Sequence, residues 1–519
     1  MEVCAAAGAA AAFRARGDGP KAVSVRDYHL SISVEALEAD PDRIRLAQQA
    51  GVGSLWIAGF FYGHWPYPLE KIQAWRRRVE AAGLAAHMIN VPLGHPGDAL
   101  GSSSGSFPLT APGQWHAAVR PDGSRYSGTS LHPPATEENV RALQAIRDLG
   151  VKRLFLDDDF RLATGPGVIG GCFCEEHRAD FIKTRGYGAG QWDELLDAVK
   201  NRRLSPVLRA WVEYTCDQLT ACFRAQQQAV PDIELGNMVM YFGAEKAGIR
   251  LSDYRGVPFR VGEMMFDDKS FGQLKNKTAE LFSCLFHRRF APPDWAYSET
   301  TAYPSDRLSA RNMAGKLAVS TIADVRNSMF MSGVTAFPNA HWDVLAPAMR
   351  KHARIHEQLA GHVPRGPFKH YWGEASRFVG DDNPFSLFLA SGVPFEVTDV
   401  LGDDGVVFLS DADARNLAPG ATRSTFIARS GAGLPPGVRA MEEDLPAIFA
   451  LKREMAPTLQ EVPHVTEEKP VVCAWYPSAR SVLLWNLSEQ REIFELRFGD
   501  VRRSVPVEGL DVELLTGLG

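Results

Sequence analysis

The chain has 519 residues, of which 45% are hydrophobic and 23% charged, with a formal net charge of −6. That length predicts two or three domains rather than one, and the composition is that of a globular protein, not a disordered one. With no long basic run and no apolar stretch long enough to span a bilayer, neither nucleic acid nor a membrane is an expected partner.

Residues 1–23 read as a disordered tail. The Ala-rich start carries Glu2 and no basic residue before the Ala run, a poor secretory signal, so the expected location is cytoplasmic. From residue 24 to 362, strand-like runs alternate with helical patterns. The first strand is predicted over 28–33 and its helix over 41–50. A second strand over 53–58 precedes a helix over 69–82, and a third strand spans 84–91. A Gly-, Ser- and Pro-rich loop runs to about 134. A helix over 137–149 leads to a fourth strand over 151–156, then a long helical insertion over 174–230. Strands over 233–240 and 259–264, a helix over 269–286, and a strand over 295–298 follow. A helix over 309–327 and a last strand over 334–337 complete eight strand–helix units, the pattern of a (β/α)8 TIM barrel.

Beyond a helix over 344–359 the character changes. Short strands over 385–390, 395–397 and 406–409 predict a smaller flavodoxin-like α/β domain over 363–456. The alternating runs that follow predict a small C-terminal β-sandwich over 457–519.

Two carboxylates carry the chemistry. One lies in Asp157-Asp158-Asp159-Phe160, where the fourth strand gives way to a loop. The other is Glu299, after Trp295-Ala296-Tyr297-Ser298. Residues at the C-terminal ends of strands four and seven can converge over one pocket. Glycosidic bond cleavage needs one carboxylic acid to protonate the leaving oxygen and one carboxylate to attack the anomeric carbon or activate water. The expected catalytic residues are therefore Glu299 and Asp159, with Asp158 as the fallback. The Asp triplet also admits a structural role, binding an Arg or capping a helix, and Glu299 admits an ordinary buried ion pair.

A second cluster is Cys172-Phe173-Cys174-Glu175-Glu176-His177. Cys174 and His177 stand one helical turn apart, and Cys172 can fold back from the preceding loop. With His132, in Leu131-His132-Pro133-Pro134, they form a thiolate–imidazole set suited to structural zinc. Two free thiols and a surface His are the alternative. The seven Cys are odd in number and scattered, against a disulfide framework. No organic cofactor is expected.

Loop positions offer sugar contacts: Asp157, His64, Trp65 and Tyr67; Asn90 and His95; Asn237 and Tyr241; Glu263; Asn339, His341 and Trp342. Flat aromatic faces stack on sugar rings, and amides and carboxylates bind hydroxyls.

These motifs, in this order, resemble the family 42 glycoside hydrolases, the β-galactosidase-type enzymes with a trimerisation domain. In that family strand four ends in Asp-Asn-Glu and an aromatic, the Glu being the acid/base; here Asp157-Asp158-Asp159-Phe160 places Asp159 there. The family's Cys-x-Cys-x-x-Cys zinc segment is matched by Cys172 to His177, with Phe181 after it. Its remaining Cys-Pro ligand is matched by His132-Pro133, and its strand-seven nucleophile by Glu299. The run Ala390-Ser391-Gly392-Val393-Pro394-Phe395-Glu396 is similar to its trimerisation domain. The resemblance implies a retaining glycosidase on a β-galactoside-like or related glycoside, a homotrimer and a carbohydrate substrate. Asp in place of the acid/base Glu, and Asp158 in place of Asn, mean that galactose specificity does not carry over. Two other readings stand beside it. One is a lyase or isomerase holding a divalent metal with Asp157, Asp159 and Glu263. The other is a non-catalytic sugar-binding or assembly protein.

Overall fold

The computed structural model of the protein describes residues 25–93, 111–157, 160–165, 167–262, 264–332, 336–418, 423–431 and 433–518. The predicted tail, His95, Asp158, Asp159, Glu263 and half of the predicted last strand (334 and 335) lie outside the described residues.

Eight strands form a closed parallel barrel: β1 Asp27–Ile32, β2 Ser54–Phe61, β3 Ala85–Val91, β4 Arg153–Leu156, β5 Glu234–Met240, β6 Phe259–Gly262, β7 Ala296–Thr301 and β8 Asn327–Met331. They pair in sequence order and β8 closes onto β1. β2 is buried along its whole length, because one face fills the barrel while the other meets the surrounding helices. Seven strands lie where the apolar runs predict them. The eighth does not. The helix before it, Ala310–Ile322, stops early, and Asp324 takes a left-handed backbone conformation, φ 52°. The Asp324 carboxylate, 2.9 Å from His356 Nε2, also accepts from the Gly361 N–H, which fixes the turn. The fully buried run 327–331 then pairs with β7 and β1. Read without its partners, that run continues the preceding helix.

The barrel interior is a packed core, as expected of this architecture. Trp56, Ile89, Phe155, Tyr297 and Met329 form one buried cluster. Toward the N-terminal end of the strands, Arg153 donates to the Tyr297 hydroxyl (2.8 Å) and to Glu234 (2.6 Å), and the Trp56 indole N–H donates to His29 Nδ1 (3.2 Å). Chemistry is left to the opposite, C-terminal end.

The helical insertion is three helices, Glu175–Arg185, Ala189–Lys200 and Pro206–Ala229. Phe181, Trp192 and Trp211 build a second core there that extends to Ala375 and Phe378, beyond the barrel. Trp372 stacks on Phe242 of the loop after β5, centroids 4.4 Å apart. These contacts seat a five-stranded parallel sheet of Phe395–Thr398, Phe368–Tyr371, Val406–Leu409, Thr425–Arg429 and Val438–Met441, in that spatial order. In chain order this is 2-1-3-4-5, the flavodoxin-like arrangement. The predicted strand over 385–390 is instead a short 3-10 turn, Leu387–Ala390, which packs against the sheet rather than joining it. Two three-stranded antiparallel sheets follow, over residues 464–515, and enclose Val482, Leu484, Phe494 and Val505. Among the described residues no helix is long and apolar enough to cross a membrane.

Gly236 in β5 has no room for a side chain: a Cβ there would strike the Phe155 ring inside the barrel and lie 3.0 Å from the Pro258 carbonyl. Gly236→Ala is expected to lose about 1–3 kcal/mol, the usual cost of overpacking a core, read as a lower urea midpoint with unchanged slope.

Candidate active site

Strand alternation puts Phe155 of β4, Met238 of β5, Arg260 of β6, Tyr297 and Glu299 of β7, and Met329 of β8 on the inner face. Arg260 is 0% exposed. Its Nε lies 3.0 Å from Glu299 Oε1. Its Nη2 pairs with the Asp157 carboxylate at the end of β4. The guanidinium edge also meets three thioethers, with Met238 Sδ at 2.9 Å, Met329 Sδ at 2.9 Å and Met331 Sδ at 3.2 Å. Its Cζ stands 5.3 Å from the centroid of the Phe155 ring. So Asp157, the described residue of the Asp run, and Glu299 meet inside one barrel, bridged by a cation that the sequence reading did not select. The signal was present: an Arg inside the apolar run Phe259-Arg260-Val261-Gly262 must either leave the barrel or find anions within it.

Glu299 sits inside β7, not at its end, and is 8% exposed. Its second oxygen, Oε2, accepts from Thr301 Oγ1 at 3.5 Å. Burial alone would favour the neutral acid, whereas a guanidinium at contact distance favours the carboxylate. Imidazoles in the layer below do not compete as cations, since burial drives His87 down to about 3 and also lowers His29.

Several predicted sugar contacts are structural instead. Asn237 lies within β5 on the face opposite Met238, fully buried, with Oδ1 accepting from the Met238 N–H (2.8 Å). Asn90 is also buried, and its Oδ1 accepts from the Phe60 N–H (2.9 Å), bracing β2 against β3. Trp65 packs on Phe60, centroids 5.2 Å apart, in a side cluster with Trp115. His341 and Trp342 open the helix His341–Leu359 rather than a loop. His341 Nε2 stands 3.0 Å from the Leu308 carbonyl, and Trp342 packs on Phe330 and Phe337. Asn339 donates to Asp40. Tyr241 does follow β5; burial, then Glu280, Asp382 and Glu443, push its hydroxyl pKa up. His64 bridges back to Phe61 at the end of β2, and Tyr67 packs beside Lys71.

The thiol–imidazole cluster comes together. Cys174 caps the N-terminus of helix Glu175–Arg185, and His177 is buried in its first turn. Cys174 Sγ lies 3.1 Å from His177 Nδ1 and 3.5 Å from His132 Nε2, and the three ligand atoms fall within 4.8 Å of one another. Four ligands around tetrahedral zinc stand roughly 3.3–3.8 Å apart, so this spacing fits such an ion. The Cys172 thiol hydrogen-bonds Cys174; that contact brings Cys172 down to about 7 and sends Cys174 up to about 12. His116, missed in the sequence, stacks edge-on to His132 at 5.8 Å. It sits beside the hairpin of Ala117–Val119 and Arg125–Thr129, a fold of the long loop that no periodicity announces.

No family model matches the chain, and no curated protein matches it by sequence. Solved structures do. The β-galactosidase from Rahnella sp. R3 superposes with a TM-score of 0.61 at 11% identity, over 96% of this chain and 99% of that one. A catalytic mutant of Gan42B, a GH42 β-galactosidase from G. stearothermophilus, gives 0.60 at 9% identity, over 95% and 98%. The chain has the fold of the family 42 glycoside hydrolases. An α-L-fucosidase isoenzyme 2 from Paenibacillus thiaminolyticus also superposes, at 0.56 and 10% identity, over 96% and 100%. One architecture thus carries enzymes named for different sugars.

Arg260→Met keeps the volume but leaves Glu299 and Asp157 facing a dry interior without their cation. A loss of about 3–5 kcal/mol is expected from breaking a buried ion pair. Denaturant midpoints at pH 7 measure it, and a midpoint equal to wild type would contradict the assignment of Arg260 as the buried bridge.

Proposed function

We propose that the protein hydrolyses a glycosidic bond, with Glu299 as nucleophile and Asp159 as general acid/base, Asp158 being the fallback. The observation that supports this reading is that Asp157, the residue that opens the Asp run at the end of β4, and Glu299 in β7 meet on Arg260 in one barrel. Glu299 offers Oε2 while Oε1 rests against Arg260. An anchored carboxylate suits attack on an anomeric carbon, because one oxygen is held while the other points at the sugar. The substrate class is a β-galactoside-like or related glycoside; the presence of a fucosidase among the fold neighbours leaves the sugar to the pocket residues. Retention follows from a nucleophilic Glu299, and a homotrimer is the state the resemblance implies. The divalent-metal reading has less support, since Asp157 is already neutralised by Arg260.

A panel of 4-nitrophenyl glycosides, with NMR of the first-formed anomer, tests the reaction. Glu299→Gln is expected to lose at least about a thousandfold in kcat with an unchanged fold. Sugar binding without turnover by the wild type would instead establish the non-catalytic reading, which a carboxylate tied to a buried Arg also fits.

We further propose that Cys172, Cys174, His177 and His132 hold one structural zinc, fixing the loop after β3 to the loop after β4. Elemental analysis of the purified protein should give about one zinc per chain. Cys174→Ser and His177→Ala should each lose the metal and lower Tm. Full metal content in both variants would refute the ligand set.

A further inference from the structure

Arg260 has more to do than hold the barrel together. It lies on β6, between the strand that bears the nucleophile assigned above and the strand that bears the Asp segment. Its ordinary alternatives are closed: it is fully buried, three thioethers and an aromatic face surround it, and its polar edge meets carboxylates on both sides. A rigid guanidinium fork can serve two anions at fixed angles, which an ammonium cannot.

We infer that Arg260 is a positioning residue for the proposed reaction, clamping Glu299 Oε1 so that Oε2 alone faces the substrate and tying that carboxylate to Asp157 as a shared-cation pair. The inference rests on Glu299 being the nucleophile. Its consequence is electrostatic coupling: Glu299 and Asp157 divide one positive charge, so the ionisation of each depends on the other. Among the described residues, the interior also holds the ionisable groups Arg153, Tyr297, His29 and His87 toward the N-terminal end, and Arg161, whose Nη1 is 3.4 Å from Met240 Sδ, on the loop after β4; Asp158, Asp159 and Glu263 lie outside the described residues. Among the described residues, β8 brings no ionisable side chain to this face. Arg260 brings its positive charge into contact with Glu299.

The test uses the full-length protein and whichever aryl glycoside of the panel turns over fastest. The acid limb of kcat/KM reports the ionisation of the free enzyme's nucleophile. Arg260→Lys keeps the charge but loses the fork, so kcat should fall about tenfold or more while the acid limb stays in place. Arg260→Met removes the charge, and the limb should move up by about one pH unit or more. Should that variant fail to fold, Asp157→Asn gives the same test with opposite sign: Glu299 then has the cation to itself, and the limb moves down by roughly half a unit or more. A wild-type kcat in Arg260→Lys, or an unmoved limb in Asp157→Asn, overturns the inference while Glu299→Gln remains inactive. Turnover in Glu299→Gln, or none on any glycoside by the wild type, removes the nucleophile assignment itself and the inference with it.

Discussion

A guanidinium with no access to water sits at the centre of this barrel, and much else follows from the need to neutralise it. Moving such a cation into a low-dielectric interior is costly unless anions meet it there with good geometry. Arg260 meets two, one from the adjacent strand and one from the next strand but one on its other side: Glu299 in β7 and Asp157 at the end of β4. A shift of one residue along any of the three strands would turn one partner to the outer face. The pair therefore sets registry as well as charge. It also explains why the two acids point into the same space, which is the geometric precondition for any two-carboxylate chemistry.

Around that centre the chain builds two further constraints. Cys174 and His177, at the start of the helical insertion, meet His132, from the loop after β3, within 4.8 Å. The aromatic core of the insertion reaches the second domain through Ala375 and Phe378. The helical insertion is thus packed against the second domain from outside, while Arg260 joins carboxylates of two strands from within. This division is common in barrels, where one end carries stability and the other carries chemistry.

Legibility in the sequence followed burial. Strands that are apolar on both faces, such as β2, could be placed from composition alone. Asp157 and Glu299 could be singled out because a carboxylate at the end of an apolar run is costly without a purpose. The last strand could not be placed, because Asn327-Ser328-Met329-Phe330-Met331 suits a helix as well as a strand until β1 and β7 offer it hydrogen-bond partners. Some of the expected sugar contacts have structural partners instead. Asn237 lies in the middle of β5 and Trp342 in the first turn of its helix, and each meets a neighbouring partner: the Met238 N–H for Asn237 and the Phe330 ring for Trp342. Arg260 went unselected because a lone Arg in a strand pattern gives no hint of its direction.

Taken by itself, the linear chain determined the alternation of strand and helix, the order of three structural units, and the residue types able to cut a glycosidic bond or hold a metal. Those properties are local: they depend on periodicity, on turn residues and on the spacing of a few polar groups. Only closure of the barrel decided which side chains share an interior. Inward and outward directions are set by the register of each strand against its neighbours, and that register is fixed by contacts hundreds of residues apart, such as β1 against β8. The meeting of Glu299, Arg260 and Asp157 is a product of that closure.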